Sequence, residues 1–335
     1  MKQLSPDNVL ELTALSVEVS EGEQQLMLVD DVSLAIARGE TLCLVGESGC
    51  GKSMTALSLL GLCPHPCQVV MDGLLIDGID ITSSSAPSFS TLRGDRISAV
   101  FQDPMGALNP LLTIKRQMTE GFVRHGRGTG REAREKAEYL LERVGIGDPI
   151  LRLGQYPHQL SGGQRQRILI AAALMCDPAV LIADEPTTAL DTTLQLQMLR
   201  LFRELQSTFD LGVLFITHDL GVVAHIGDRV AVMYSGQIVE TGSVQAVLQV
   251  PAHPYTQALL KCIPRLEPQF RQKLPPAIPG VVPSSTKGLK GCRFYGRCTD
   301  AMVECQEASI PFREIDSTRK SRCLLTRNGE LTGND

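Results

Sequence analysis

Short apolar runs alternate with amphipathic stretches along the first 250 residues of the chain. Residues 41–45 and 179–183 are continuous apolar runs, which are typical of strands buried on both faces. Residues 131–144 and 161–174 predict helices, and Gly145 is the expected end of the first of these. This alternation of strands and helices predicts an α/β core built on a largely parallel sheet.

The pattern changes near residue 250, where proline and glycine become frequent. So many helix breakers exclude long helices and indicate a different architecture. We therefore predict two parts, a core domain over residues 8–250 and a C-terminal extension over residues 251–335. No internal repeat is visible, so we expect one copy of the core in this chain.

Composition and charge exclude several classes of protein. Hydrophobic residues make up 43 % of the 335 residues and charged residues 21 %, as in an ordinary folded protein. The net charge is −5, and the acidic excess lies in the core, because residues 251–335 hold 13 Lys or Arg against 8 Asp or Glu. An acidic core argues against a broad nucleic-acid surface. The longest apolar run has nine residues and the N-terminus has no apolar signal segment, so we expect neither membrane crossing nor export.

The strongest chemical motif is Gly46-x-x-x-x-Gly51-Lys52-Ser53, which follows a predicted buried strand and precedes a helical stretch. This is the pattern of a phosphate-binding loop, in which glycines let backbone N–H groups approach phosphate oxygens. Lys52 is expected to reach the β- and γ-phosphates of ATP, and the Ser53 hydroxyl to bind Mg²⁺. The candidate nucleotide-binding residues of this segment are Gly46, Ser48, Gly49, Cys50, Gly51, Lys52, Ser53 and Met54.

A second motif is the apolar run that ends in Asp184-Glu185. An acid at the end of a buried strand fits a Walker B motif, in which Asp184 positions Mg²⁺. Glu185 would then orient or deprotonate the attacking water. By itself such a pair is more often a turn or a helix cap, but together with the phosphate loop it predicts catalysis.

Further motifs carry a resemblance to a known family. Leu160-Ser-Gly-Gly-Gln164 precedes Asp184 by about 20 residues and resembles the signature sequence of ABC-type ATPases. Gln102, Asp191 and His218 stand in segments that resemble the Q-, D- and H-loops of that family, in the same order. The resemblance covers residues 10–250 and implies a P-loop ABC ATPase cassette, an α/β fold with a helical subdomain.

The resemblance also implies how the cassette works. In ABC ATPases two cassettes pack head to tail, and each nucleotide lies between one subunit's phosphate loop and the other's signature. The signature residues expected to meet the γ-phosphate begin a helix, whose N–H groups favour anions. Gln102 would bind Mg²⁺ or sense the attacking water, and His218 would contact the γ-phosphate. Val19 departs from the family, which usually has an aromatic residue there to stack on adenine. The signature residues are Ser161, Gly162, Gly163 and Gln164.

The C-terminal extension resembles that of peptide and nickel importer ATPases, through His253-Pro-Tyr-Thr256 and the cysteines that follow. In relatives with such tails four cysteines hold a 4Fe–4S cluster, which all-thiolate ligation suits. The spacing C-x5-C-x6-C-x17-C lacks the C-x2-C pairs usual in zinc sites, but zinc and free buried thiols remain alternatives. We expect a cluster to fasten the tail and to have no part in ATP chemistry. The four residues are Cys292, Cys298, Cys305 and Cys323.

Together these features predict the ATPase subunit of an importer for di- or oligopeptides, at the cytoplasmic face of the inner membrane. Its expected partners are two permeases, a second ATPase (identical or different) and, indirectly, a solute-binding protein. Residues 102–112 are expected to be a surface loop that meets the permease through exposed Met105 and Leu108. The alternatives are import of nickel or a metal chelate, a soluble ABC ATPase acting on nucleic acid or ribosomes, and a cassette that binds ATP without hydrolysing it.

Overall fold

The structure is a computed structural model, and it describes residues 7–21, 24–188, 191–263, 277–283 and 289–326. The chain divides into two compact units. The first unit comprises Met1–Leu12, Leu34–Thr41 and Gly73–Ile216, and the second comprises Thr13–Ser33, Leu42–Asp72 and Thr217–Asp335. The sequence predicts two consecutive parts, a core over residues 8–250 and an extension over residues 251–335, whereas each of these units combines separate stretches of the chain. The predicted division stays a prediction.

Strands and helices are interspersed along the chain, and regular alternation holds from β8 to β10. The strands in the described ranges are β1 (Asn8–Glu21), β2 (Gln24–Ala37), β3 (Thr41–Val45), β4 (Gln68–Val70), β5 (Gly73–Ile76), β6 (Ile79–Asp80), β7 (Ile97–Val100), β8 (Val180–Asp184), β9 (Gly212–Thr217), β10 (Arg229–Tyr234), β11 (Gln237–Ser243), β12 (Arg313–Glu314) and β13 (Lys320–Ser321).

The helices are short or of medium length. They are α1 (Lys52–Leu59), α2 (Phe89–Leu92), α3 (Pro104–Ala107), α4 (Ile114–Arg124), α5 (Gly130–Arg143), α6 (Pro149–Leu153), α7 (Gly162–Ala173), α8 (Thr192–Phe209), α9 (Leu220–Ile226), α10 (Val244–Gln249), α11 (Pro254–Lys261) and α12 (Glu304–Glu307), with 3₁₀ turns at Pro157–Gln159 and Tyr295–Arg297. Across the ranges that the structure covers, no helix has the length and apolarity needed to cross a bilayer.

In the first unit, β7, β8 and β9 are neighbouring parallel strands. All five residues of β8 are buried, which explains why its sequence is a continuous apolar run. The helices α4, α5 and α7 pack together in the same unit. As expected, α5 ends before Gly145, which adopts a left-handed φ of 76° that suits glycine.

In the second unit, β3 pairs in parallel with β10, and β11 returns antiparallel to β10. The C-terminal segment joins this sheet, because β13 pairs with β11 through Glu240 opposite Ser321, and β12 pairs with β13. Tail residues therefore extend the sheet that carries the phosphate loop on β3.

The segment 102–112 differs from its prediction. It contains the short helix α3, and Leu108 is buried with 5 % of its surface exposed. The expectation of an exposed Leu108 was wrong, because the turn of α3 directs this apolar residue into the first unit rather than into solvent. Leu111, which the prediction did not single out, is 82 % exposed. The Met105 side chain lies outside the described parts of the structure.

Candidate functional site

The phosphate loop follows β3 and is shaped by close approaches at two of its glycines. A Cβ atom on Gly46 would lie 2.1 Å from the Met233 carbonyl oxygen, and one on Gly51 would lie 2.6 Å from the Leu28 carbonyl oxygen. Side chains are excluded at both positions, which fits a loop wrapped tightly for phosphate binding. Gly49 also has a positive φ, 78°, but a Cβ there would meet nothing within 4 Å. This middle part of the loop is therefore open to a ligand.

Lys52 begins α1 and folds back over the loop. Its Nζ donates to the carbonyl oxygens of Gly46 at 2.9 Å and of Glu47 at 3.0 Å, and the residue is only 5 % exposed. Ser53, the next residue, is exposed. An ammonium held over a glycine-rich loop at the start of a helix fits an anionic phosphate chain.

Cys50 lies inside the loop and is buried. Burial raises the pKa of its thiol, and the nearby Lys52 ammonium offsets only part of that increase. The thiol therefore stays neutral near pH 7 and acts as a packing group.

In the first unit, β7 and β8 are neighbouring parallel strands; Asp184 is the last residue of β8, and Gln102 lies two residues beyond the end of β7. Glu185 comes directly after β8 with a φ of 48°, a region that side-chain-bearing residues rarely adopt. Its N–H donates to the Ile216 carbonyl oxygen at 2.9 Å, and its Oε2 accepts from the Thr188 hydroxyl at 2.9 Å. An unusual backbone conformation held by such contacts is typical of functional sites.

The signature segment starts α7. The Ser161 Oγ accepts from the Gln164 N–H at 3.3 Å, and the Gln164 Oε1 accepts from the Ser161 N–H at 3.0 Å, so the two form a capping box. Gly162 and Gly163 face open space, since a Cβ on either would meet nothing within 4 Å. The start of this helix is thus accessible, as binding of an external phosphate requires.

Asp191 and His218, the predicted D-loop and H-loop residues, lie at the start of a helix and after the end of a strand. Asp191 caps the start of α8, where its Oδ1 accepts from the N–H groups of Thr193 at 2.9 Å and Leu194 at 3.0 Å. His218 follows β9 and is exposed. The rest of the predicted D-loop, residues 189–190, lies outside the described residues.

Two contacts to the phosphate loop were not found by sequence reasoning. Arg297 pairs with the Glu47 carboxylate, and the Tyr255 hydroxyl accepts from the Glu47 N–H at 2.9 Å. The partners are 250 and 208 residues apart in the chain, so no local pattern indicates either contact.

The four tail cysteines line one cavity of the second unit, together with His253. Burial, with a smaller contribution from the other three thiols, raises the pKa of Cys292 to about 11. The backbone brings the cysteines together, since the Cys292 N–H donates to the Cys305 carbonyl oxygen at 2.7 Å. Within the ranges described, no three His, Cys, Asp or Glu side chains are already arranged around a metal position.

Comparison with known proteins decides the family. The sequence model described as "ABC transporter" matches residues 29–188, and the one described as "Oligopeptide/dipeptide transporter, C-terminal region" matches residues 239–305. A putative peptide import ATP-binding protein of Brucella abortus (strain 2308) is 45 % identical over 94 % of this chain and 94 % of its own length. This chain belongs to the family of ABC transporter ATP-binding proteins. The dipeptide transport ATP-binding protein DppD of Bacillus subtilis (strain 168) is 46 % identical over 89 % of both chains.

Solved ABC cassettes share the fold. A dimeric ATP-binding cassette in a post-hydrolysis state, bound to ADP and Pi, is 29 % identical, with a TM-score of 0.61, over 70 % of this chain and 98 % of its own. The protein cbiO1 from Clostridium perfringens, part of an ABC transporter complex, is 26 % identical, with a TM-score of 0.59, over 72 % and 91 %. The predicted ABC cassette fold and the prediction of an ABC transport ATPase are confirmed.

Proposed function

We propose that this chain is the ATP-hydrolysing subunit of an ABC importer that takes up di- or oligopeptides. The observation that carries the proposal is the presence, in one chain, of a phosphate loop with Lys52 folded over it and of a C-terminal region of the oligopeptide/dipeptide type. Relatives that match this chain over nearly their whole length are named for peptide or dipeptide transport. These names favour peptides over the nickel alternative.

We assign the catalytic roles by motif and by position on the strands. Lys52 and the loop N–H groups bind the phosphates, and the exposed Ser53 hydroxyl is a ligand for Mg²⁺. By motif, Gln102 and Asp184 are assigned as further ligands for Mg²⁺. When bound, Mg²⁺ neutralises charge on the β- and γ-phosphates. Glu185 takes the proton of the attacking water, and His218 donates a hydrogen bond to the γ-phosphate.

The partners follow from the family. Membership implies permeases in the membrane and pairing of two ATPase subunits. We propose that the second subunit is a different ABC ATPase, that each nucleotide meets the Ser161 to Gly163 helix start of the other subunit, and that a solute-binding protein delivers the peptide. This places the chain at the cytoplasmic face of the inner membrane as a peripheral subunit.

Transport tests the proposed substrate. The chain is reconstituted in vesicles with the permeases and second ATPase encoded beside it, and uptake of a labelled dipeptide is measured with and without ATP. We expect ATP-dependent dipeptide uptake and no uptake of radiolabelled nickel. Nickel uptake without peptide uptake would show that nickel is the substrate instead of peptide. Association with nucleic acid or ribosomes instead of permeases would contradict the proposed transport function.

The surface that meets a permease is proposed to include Leu111. Its loop is rigid, because the Gln117 amide accepts from the Asn109 N–H at 2.8 Å and donates to the carbonyl oxygens of Asn109 and Leu112 at 3.0 and 2.9 Å. An apolar side chain that is 82 % exposed on a rigid loop is suited to a partner protein.

We expect Leu111→Glu to reduce peptide uptake at least about tenfold while basal ATP hydrolysis stays within about twofold of wild type. Leu108→Glu is the contrast, because it buries a charge and lowers the melting temperature and both activities together. Uptake assays, hydrolysis assays and thermal melts on both variants separate the two effects. Normal uptake by Leu111→Glu would remove this residue from the docking surface.

We propose that the tail cavity holds a 4Fe–4S cluster. Four thiols line it, two of them buried and two partly exposed, and ligation by four cysteines suits an iron–sulfur cluster. The His253 ring adds a second indication. Its Nδ1 accepts from the Tyr255 N–H at 3.0 Å, so Nε2 carries the proton. The backbone of Arg322 lies near the ring, but the buried Nε2 does not reach a partner with full hydrogen-bond geometry. A cluster sulfur or thiolate in the same cavity would accept this hydrogen bond.

Protein purified without oxygen is expected to be brown, to absorb broadly near 400 nm and to contain about four irons per chain. Cys292→Ser should remove most of the iron, whereas Cys262→Ser should retain it because Cys262 does not line the cavity. Iron analysis and absorption spectra measure both. Colourless protein with one zinc per chain would indicate a zinc site, and metal-free protein with an ordered tail would indicate plain thiols.

A further inference from the structure

We infer that Arg297 of the tail is a positioning residue for ATP binding, because it holds the phosphate loop through Glu47. The inference rests on the proposed function, since it concerns the affinity of the loop for nucleotide. Glu47 is the residue after Gly46 in the loop. Arg297 Nη1 and Nη2 donate to its two carboxylate oxygens at 2.6 and 3.0 Å. This two-bond geometry fixes the orientation of the carboxylate as well as its distance.

The Arg297 guanidinium is itself held in place. Its Nε donates to the Pro279 carbonyl oxygen at 2.9 Å, and Nη2 also donates to the Ile278 carbonyl oxygen at 3.3 Å. It lies over the rings of Tyr234 and Phe294, 5.8 and 6.0 Å from their centres. The side chain is only 6 % exposed. In a surface ion pair, both side chains lose conformational freedom when the pair forms. The Arg297 guanidinium is already held by its other contacts, so its pairing with Glu47 costs little side-chain entropy.

Every polar group of Glu47 is engaged. Its carboxylate meets Arg297, its N–H donates to the hydroxyl of the buried Tyr255 at 2.9 Å, and its carbonyl oxygen accepts from Lys52 Nζ at 3.0 Å. The residue that Arg297 holds is therefore one of three that accept from the Lys52 ammonium, with Gly46 and Cys50. Release of the carboxylate removes the side-chain contact of Glu47 and leaves only its backbone contacts, so its carbonyl oxygen becomes a less rigid anchor for the ammonium.

A second tail arginine supports the same loop from the other side. Arg293 pairs with Asp30 and donates to the Ser235 carbonyl oxygen. Gly236, the next residue, donates its N–H to the Cys50 carbonyl oxygen at 2.9 Å. The tail thus reaches the phosphate loop at Glu47 directly and at Cys50 through the turn after β10.

The cysteines are part of this arrangement. Arg297 ends a 3₁₀ turn that lies between Cys292 and Cys298, and the turn is fixed by hydrogen bonds from the Tyr295 N–H to the Cys292 carbonyl oxygen at 3.1 Å and from the Cys298 N–H to the Tyr295 carbonyl oxygen at 3.2 Å. A cluster or metal ion bound by these cysteines would therefore also fix the position of Arg297. The tail can therefore set nucleotide affinity without taking part in hydrolysis or carrying electrons.

The test measures binding of Mg²⁺ with a non-hydrolysable ATP analogue to the full-length protein by calorimetry. We expect Arg297→Gln and Glu47→Gln each to weaken binding about tenfold, and the double variant to be no weaker than either single one, because both remove the same contact. Arg297→Lys keeps the charge without the two parallel bonds, and it should recover only part of the affinity. The charge-swapped pair Glu47→Arg with Arg297→Glu should bind better than either of its single changes.

Arg322→Gln is the matched control. Like Arg297, Arg322 is a tail arginine that pairs with a carboxylate and lies over an aromatic ring. Its carboxylate partner is Asp31 on β2, at 3.3 Å, and none of these contacts involves the phosphate loop. Its affinity for the analogue and its melting temperature should stay near those of wild type. Wild-type affinity in Arg297→Gln, additive effects in the double variant, or equal losses in Arg322→Gln would overturn the inference. Wild-type protein that binds no nucleotide would instead overturn the proposed function.

Discussion

The Glu185→Gln variant is expected to lose at least about a hundredfold in ATP turnover while it binds ATP as tightly as wild type. Glutamine has the size of glutamate, and its amide oxygen can still accept from the Thr188 hydroxyl. The local conformation after β8 therefore survives, but the group no longer accepts a proton from water. An intact binding step combined with a blocked chemical step should accumulate the ATP-bound pair of subunits.

Phosphate release, nucleotide titration and size-exclusion chromatography in the presence of ATP measure the three expected properties. Thr188→Val provides the control, because it removes the hydrogen bond to Glu185 but leaves the carboxylate, and it should keep most of the turnover. Hydrolysis at the wild-type rate in Glu185→Gln would show that another group activates the water. Loss of ATP binding in the same variant would show that Glu185 maintains the structure of the segment after β8 rather than activating the water.

The second large effect is expected for Lys52→Ala, which should weaken ATP binding itself by at least about tenfold. The change deletes the charge expected to meet the phosphates, and it also leaves the carbonyl oxygens of Gly46 and Glu47 without their ammonium donor. Both consequences act before the chemical step, in contrast to those of Glu185→Gln.

Calorimetric titration with ATP and Mg²⁺ measures this effect directly. Lys261→Ala, at the exposed end of α11, is the matched lysine control and should bind as wild type does. Lys52→Arg retains a charge with a different shape and should give an intermediate affinity. If Lys52→Ala binds ATP with unchanged affinity, the assignment of the phosphate loop is wrong.

Local order along the chain explains what the sequence predicts well. A strand buried on both faces needs apolar residues throughout, so β3 and β8 are visible as runs, and the loop glycines between β3 and α1 mark a backbone that side chains would block. Helix ends are local as well, and Ser161 and Gly145 mark theirs through a cap and a left-handed turn. These features depend on neighbours within a few residues.

The features that escaped prediction depend on distant partners. Leu108 stands in a stretch of turn-forming residues, and nothing near it in sequence indicates that it packs inward. Arg297 is one of several basic residues in the tail, and its carboxylate partner is identified only when the fold brings β3 and the tail into one unit. From the sequence alone, an arginine beside a cysteine indicates only that its positive charge can offset the negative charge of a thiolate.

The separation of 250 residues between Glu47 and Arg297 has a consequence for how the protein is made. A ribosome adds about 5–20 residues per second, so Arg297 is synthesised about 12–50 s after the loop it holds. Once His218 has been added, the nascent chain contains each of the ATP motifs but still lacks Arg297, the residue that positions Glu47. Full affinity for nucleotide is then expected only after Arg297 has been added, near the end of synthesis.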